Sequence, residues 1–236
     1  MKQTYYKITN KAECHNGFQY VDGLNMLDKP FEQEGSCVVG GLYFTTAKHI
    51  FKFLDYGCYL REIMLPQDCL WVKDPDGDKF RADKIILGKR YDLTDPLTFQ
   101  LLLEEGTDIH MNDNCALDWA SKNGYLEIVK YLIENGADIR AYDDRALQLA
   151  SKNGYLEIVK YLVENGADIR AYNDRALQLA CENGHLKTIM WLVENGADIE
   201  ANNNFALKWA ARNGYLHSLD WFVETGSDID ANIIVN

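Results

Sequence analysis

Five histidines and six cysteines are the side chains of this 236-residue chain best able to hold a metal or act as nucleophiles, and their spacing supports neither use. Cys14, Cys37, Cys58, Cys69, Cys115 and Cys181 form no CxxC pair, so free thiols are expected. Cys14 beside His15 offers two adjacent ligands, whereas a structural metal site needs a second pair. His15, His49, His110, His185 and His217 are scattered, with no nucleophile at a recognised spacing. The phosphate-binding GxxxxGK signature and the patterns GxGxxG, HExxH and GxSxG are all absent. No catalytic residue, metal or cofactor is therefore assigned, and the chemistry left to this chain is recognition by tyrosine, arginine and other polar side chains.

Those side chains are set out by a repeat. Gly106, Gly136, Gly166, Gly196 and Gly226 share one register at a thirty-residue period, and Gly124, Gly154, Gly184 and Gly214 share a second. A period of that size means stacked supersecondary units, each too small to bury its own apolar flank. In the unit 144–169, Asp144 is expected to cap a helix RALQLASKN that places Ala146, Leu147 and Ala150 on one stripe and ends at Gly154. A second helix, LEIVKYLVEN, carries Leu156, Ile158, Val159, Leu162 and Val163 as an apolar band, with Glu157, Lys160 and Glu164 facing out, and Gly166 stops it. Ile109, Ile139, Ile169, Ile199 and Ile229 recur in the linker as pegs between units. Asn123, Asn153, Asn183 and Asn213 precede Gly in each unit and suit helix ends; Trp119 and Trp209 alternate with Leu149 and Leu179 in a core column.

The segment NGYLEIVKYLVENGADI resembles the second half of an ankyrin repeat, and the likeness covers about 95–236. It implies a solenoid of helix-loop-helix units with a concave binding face. The fold class expected is thus an α-solenoid of ankyrin-like repeats preceded by a small α+β domain. The period is three residues short of the family's 33, and Arg145-Ala146-Leu147-Gln148 stands where the family has Thr-Pro-Leu-His. The missing residues fall in the loop finger, so a tighter loop with little or no hairpin is expected. A half-repeat cap, 95–110, precedes full units near 112–141, 142–171, 172–201 and 202–231. ANIIVN follows the fourth unit, a tail that either folds back or marks a shortened member of a longer family.

Positions that vary between near-identical units mark where a partner would bind. At the loop tip stand Met111, Tyr142, Tyr172 and Asn202, and at the start of the inner helix Cys115, Arg145, Arg175 and Phe205. One turn on come Asp118, Gln148, Gln178 and Lys208, and at the helix end Lys122, Lys152, Glu182 and Arg212. The partner-binding set expected is Tyr142, Arg145, Gln148, Lys152, Tyr172, Arg175, Gln178, Glu182, Phe205, Lys208 and Arg212. Tyr142, Arg145, Tyr172 and Arg175 lead it, because tyrosine and arginine dominate interface energetics. The competing reading is that the tyrosines cover the shortened loop while the arginines pair with Asp143 and Asp168.

Residues 1–93 lack the period and read as short strands at Tyr5–Ile8, Leu42–Thr45, Tyr59–Leu65, Leu70–Val72 and Lys84–Leu87, with a helix at Ala47–Leu54 and a turn at DPDG. GKRYDLTDP reads as the link between this α+β domain (1–93) and the repeats (94–236). GFQY at 17–20, GGLYFTTAKHIFKFLDYG at 40–57, YLREIMLP at 59–66 and RADKIIL at 81–87, joined to the repeats, resemble the module preceding ankyrin repeats in mimivirus-type giant DNA viruses. The same GGLYFTTAKHIFKFLDYG run is loosely similar to the G-x-Y-F-A segment of ADP-ribosyltransferases, where the tyrosine stacks on nicotinamide. That resemblance would give Tyr43 and Lys7 roles, yet no glutamate follows Glu62 within the domain, so the site is incomplete.

Of 24 Lys+Arg and 36 Asp+Glu, 13 of each fall in residues 1–93, leaving 11 against 23 in the repeats. An acidic repeat surface disfavours phosphate backbones and anionic membranes and favours protein partners with basic patches. MKQTYYKITN has no apolar signal core, and no apolar stretch approaches eighteen residues, so a soluble intracellular chain is expected, acting in the host cytoplasm. The function expected is a non-enzymatic protein-interaction scaffold or adaptor. The alternative is an ADP-ribosyltransferase-like, degenerate amino-terminal domain whose repeats select the substrate.

Overall fold

The computed structural model describes residues 3–75 and 77–202, together with Phe205, Lys208 and Trp209. The chain divides into two compact units, Met1–Ala116 and Leu117–Asn236.

In the first unit, seven strands form one antiparallel sheet: β1 (Tyr5–Thr9), β4 (Gly23–Met26), β5 (Leu42–Thr46), β6 (Tyr59–Met64), β7 (Trp71–Lys73), β8 (Phe80–Ala82) and β9 (Lys84–Asp92). Their spatial order is β4-β9-β6-β1-β5-β8-β7, with a separate two-residue hairpin of β2 (Cys14–His15) and β3 (Phe18–Gln19). The central strand β1 reads YYKIT and buries Tyr6 to Thr9, which fits a strand flanked on both sides by β5 and β6. Leu42, Phe44, Ile63, Ala82, Ile85 and Leu87 close around Tyr20 as an apolar cluster. On the other side, Ile50, Phe51 and Leu54 bury from the helical segment 47–56, where Phe51 stacks at 5.5 Å on Phe99 of α1 (Pro96–Glu104).

Four sequence expectations change here. The segment expected as a helix at 47–54 is a 3-10 helix continuing to Tyr56. The strands β4 and β8 were not foreseen, and β9 extends through the stretch expected as a link. Gly88–Asp92 stays extended because β6 supplies partners, pairing Leu60 with Tyr91 and Tyr59 with Asp92. At the polar centre of this unit lies Arg81, fully buried and bonded to the Glu32 and Gly35 carbonyls and to the Asp74 carboxylate at 3.0 Å.

The helices beyond α1 come in alternating kinds. The longer ones are α2 (Met111–Asn123), α4 (Ala141–Lys152) and α6 (Ala171–Glu182), and the nine-residue ones are α3 (Leu126–Glu134), α5 (Leu156–Glu164) and α7 (Leu186–Glu194). In the second unit α4 packs on both α5 and α6, while α5 lies against α3 and α7. The expected stripes are buried: Ala146, Leu147 and Ala150 on α4, and Ile158, Val159 and Leu162 on α5. Trp119 and Leu179 are buried as core, with Leu149 and Trp209 half-buried. The linker isoleucines Ile139, Ile169 and Ile199 are half-buried, and the linker residues that are buried are Ala137, Ala167 and Ala197.

Gly124 shows why one register tolerates no side chain. Its φ is +82°, and a Cβ there would stand 2.7 Å from the Tyr155 ring of the following unit. Asn123, Asn153 and Asn183 each donate to the carbonyl four residues back, as Asn153 does to Leu149 at 2.9 Å, which accounts for their recurrence at helix ends. The helical expectations for 210–236, including Asn213, Gly214, Gly226, Ile229 and the ANIIVN tail, lie outside the described residues, as does Asp76 of the DPDG turn.

Candidate interaction surface

The tips at Tyr142 and Tyr172 are built the same way, whereas Met111 is buried. After the linker, one helical turn leads into three consecutive residues with left-handed backbone, Tyr142, Asp143 and Asp144 in α4 and Tyr172, Asn173 and Asp174 in α6, with φ between 51° and 62°. Regular helix then runs from Arg145 and Arg175. Among described residues, 135–145 and 165–175 contain no strand, in keeping with a loop too short for a hairpin. A non-glycine residue held left-handed costs about 1–2 kcal/mol, so three in a row require compensation from fixed hydrogen bonds.

Two side chains supply it. Gln148 Nε2 donates to the Asp143 carbonyl at 2.7 Å, and Gln178 repeats this on Asn173 at 2.6 Å. Asp144 Oδ1 accepts the Asp168 amide at 2.8 Å, and Asp174 Oδ1 accepts the Asp198 amide at 2.7 Å. The expectation that Asp144 caps its own helix is therefore corrected: the left-handed turn aims its carboxylate at the linker of the following unit. Arg140 completes the joint by touching both Asp144 and Asp168, as Arg170 touches Asp174 and Asp198. Burial lifts the Asp144 carboxyl above its ordinary range, while the Asp168 amide and Arg140 pull it back. None of these joint residues except the glutamines belonged to the expected binding set. The signal was legible only as the recurrence of Asp and Arg thirty residues apart.

The expected site residues then sort by exposure. Tyr142 and Tyr172 are 58% and 66% exposed at successive tips. Arg145 is exposed, with its guanidinium 5.8 Å from the Tyr142 ring centre and Nε 3.3 Å from Asp118. Arg175 is half-buried and donates to Glu182 at 3.1 Å and Gln178 at 3.2 Å. The ion pairs of these arginines thus run to Asp118 and Glu182, and Asp168 serves Arg140 instead. Gln178 is only 3% exposed, which removes it from any contact surface, and Gln148 is half-buried on the same structural duty. Lys152 and Lys208 are exposed and Phe205 is half-buried; Arg212 lies outside the described residues. Asp118, which the variable positions included, has its carboxyl pushed up to about 6 by burial, against the pull of Arg145.

A second feature belongs to the first unit. Tyr43 lines a partly open cavity of about 230 Å³ together with Lys7, His15, Phe53, Tyr56 and Lys79. Its hydroxyl donates to the Val38 carbonyl at 2.7 Å, and its own carbonyl accepts from Lys7 Nζ at 3.0 Å. Tyr43 and Lys7 are thus brought together, as the looser of the two sequence resemblances required. Among the described residues no carboxylate lines the cavity. Among the described residues no group of three or more His, Cys, Asp or Glu could hold a metal ion, and no helix is long and apolar enough to cross a membrane.

Comparison with known proteins gives one family and several relatives. The family model "Ankyrin repeats (3 copies)" matches residues 92–173 and 170–233. Among similar proteins, an ankyrin repeat protein of Acanthamoeba polyphaga mimivirus is 50% identical over 133 residues, which is 54% of this chain and 65% of the relative. An uncharacterized protein of the same virus is 46% identical over 134 residues, 53% of this chain and 94% of that relative. A further mimivirus ankyrin repeat protein is 46% identical over 129 residues, 52% of this chain and 42% of its own length. The chain therefore spans less than two thirds of two of the three.

Proposed function

The chain belongs to the ankyrin-repeat family, and from that premise we propose that it is a non-enzymatic interaction module whose repeats hold a protein partner at their loop tips. In this reading residues 94–236 form a solenoid, opened by the half-repeat 95–110 and followed by units near 112–141, 142–171, 172–201 and 202–231, while 1–93 form a separate domain. Ankyrin repeats are in general protein-interaction modules, and the relatives reported above are viral. The natural extension is an adaptor that engages host or viral proteins in the host cytoplasm.

One observation carries the reading: two tyrosines stand well exposed at the same place in consecutive units, on turns fixed by Gln148 and Gln178. A large ring held on a rigid tip offers contact area with little ordering cost on binding. Arg145, Lys152, Lys208 and Phe205 extend this surface, with Arg212 beyond the described residues. Arg175 and Glu182 are occupied with each other and act in shaping it. The acidic excess of the repeats favours a partner that presents a basic patch.

The test is affinity capture from infected amoebal lysate, with the chain and its Tyr142→Ala plus Tyr172→Ala variant compared side by side. Partners held by the parent and lost from the double variant support the assignment. An unchanged set of partners removes it.

The second reading, an ADP-ribosyltransferase-like amino-terminal domain, draws on Tyr43 and Lys7 sharing a cavity wall. Against it stands the absence of any carboxylate from that wall. Labelled NAD incubated with the protein and host extract decides: label transfer abolished by Tyr43→Ala would establish it, and no transfer ends it.

A further inference from the structure

Lys7 is a buried cation without a counter-ion. It is 4% exposed on the central strand β1, and its amine has three hydrogens to donate but one hydrogen-bond acceptor, the Tyr43 carbonyl at 3.0 Å. The face of Tyr20 lies 4.6 Å away and takes part of the charge. Among the described residues no carboxylate comes within ion-pair distance. Glu13, the acid that acts on it electrostatically, is claimed by Arg61 at 3.5 Å and Arg90 at 3.8 Å, and Asp22 also goes to Arg61. Arg61 stands opposite Lys7 in the β1–β6 register, so the neighbouring strand adds like charge rather than relief. An uncompensated charge in such a place is costly, and nature resolves the cost by deprotonation or by an anion. Burial indeed pulls the Lys7 amine down to about 7.

Room for an anion exists beside it. The cavity that Lys7 lines has a volume of about 230 Å³, the space of roughly eight water molecules. A second ammonium, Lys79, lines the same cavity, 5.5 Å from the centre of the Tyr43 ring and 2.7 Å from Cys37 Sγ. The two lysines thus bracket Tyr43, one at its carbonyl and one over its ring. His15, on the same wall, is pulled below its ordinary range by burial and then by Lys7, so it adds no positive charge at neutral pH. The remaining wall is mainly aromatic and aliphatic, with Phe53, Tyr56 and Ile50 prominent. A buried ammonium, a wall that is largely aromatic and aliphatic and, among the described residues, no lining carboxylate describe a pocket for a small, mostly apolar anion.

We propose that this cavity of the amino-terminal unit is a binding site for a small aromatic carboxylate, whose ring lies among Tyr43, Phe53 and Tyr56 and whose carboxylate accepts from Lys7 Nζ. All the residues of this site belong to the first unit. It also differs from a transferase site, because it needs no acid and performs no bond exchange.

Benzoate is the probe, with benzamide as its neutral match in shape and inorganic phosphate as an anion without a ring. Titration calorimetry on the full chain at low ionic strength is expected to give one saturable benzoate site per chain, with benzamide and phosphate each at least tenfold weaker. In Lys7→Met, whose fold is checked by circular dichroism, benzoate should fall to the level of benzamide. The three-ligand comparison needs no variant, so it decides even if Lys7→Met does not fold. Benzoate that fails to saturate, or that binds no better than benzamide, overturns the proposal, and phosphate binding as tightly as benzoate overturns the aromatic part of it.

Discussion

The two units stabilise their polar groups in opposite ways. In the described repeats, the two fully buried acids meet partners at a fixed offset: Asp144 with the Asp168 amide, and Asp174 with the Asp198 amide one period later. In the amino-terminal unit the buried charges meet partners scattered along the chain. Arg81 binds the carbonyls of Glu32 and Gly35 and the carboxylate of Asp74, and Lys7 has the Tyr43 carbonyl and the face of the Tyr20 ring. A periodic arrangement can satisfy each group locally and leave function to exposed tips. A non-periodic one can leave a charge unsatisfied beside a cavity, and that is where small-molecule chemistry gathers.

The largest way to sharpen this contrast is pH. The Lys7 amine titrates near 7 in the folded chain and at an ordinary 10.5 when unfolded, so between those values the unfolded chain binds more protons and stability rises with pH. The burial penalty is therefore fully present below pH 7 and is relieved towards pH 10.5, a swing of up to about 5 kcal/mol. Replacing Lys7 by Met should flatten that dependence in denaturation of the amino-terminal unit, and should stabilise most at pH 6. In the repeats the sign is reversed. Asp118 titrates near 6 when folded against 3.8 when unfolded, so its contribution falls as pH rises through that window. Asp118→Asn should remove this fall. Equal pH profiles for Lys7→Met and its parent would show that Lys7 is compensated after all.

The next largest effect is loss of Asp74. Arg81 and Asp74 are both fully buried, and Asp74→Ala would leave the guanidinium uncompensated, at about 3–5 kcal/mol. Chemical denaturation followed by far-ultraviolet circular dichroism should then separate into two steps, the sheet of the first unit melting before the helices. A single unshifted transition would mean that the two units do not unfold separately or that Arg81 finds another partner.

How far the sequence revealed these features follows from the same contrast. The helices and their buried stripes were legible because Ala146, Leu147, Ile158 and Leu162 recur with helical spacing in every unit, and each finds its environment in a near-copy of itself. The left-handed tips were not, because Tyr-Asp-Asp carries no glycine to announce them and their support comes from Gln148 and the next linker. Strands β1, β5 and β6 announced themselves by aromatic and β-branched content. The continuation of β9 through Gly88–Asp92 is imposed by pairing with β6, which a polar run such as GKRYD does not advertise. The candidate tips were marked by variation between units, yet that signal could not separate exposed Tyr142 from buried Gln178. Of the cavity, the sequence suggested only Tyr43 and Lys7, through a resemblance, and not Lys79 or the rest of the wall, since these residues are brought to it by different strands and loops.

Within the repeats, the joint itself can be broken. Asp144→Ala removes the acceptor of the Asp168 amide and the partner of Arg140 from a buried position, at about 2 kcal/mol, by the cost of an unsatisfied buried amide. The neighbouring Asp143 is exposed, so Asp143→Ala should shift the midpoint far less. Matching effects from the two would mean that the connection between units does not run through Asp144.

The smallest effect has the opposite sign. Asp143 holds φ 54° and ψ 47° with its side chain exposed, and the bond it makes to Gln148 uses its backbone carbonyl, which any residue supplies. Glycine adopts that conformation without steric cost, so Asp143→Gly removes a penalty of about 1–2 kcal/mol and gives back roughly half of it in unfolded-chain entropy. The expected net is a gain of about 0.5–1 kcal/mol, read as a higher denaturation midpoint, while Asp143→Val at the same place should lower it. The gain also bears on recognition: a glycine neighbour loosens the turn that presents Tyr142, so stability should rise as partner affinity falls. A variant that gains in both would show that the strained tip contributes nothing to holding the ring in place.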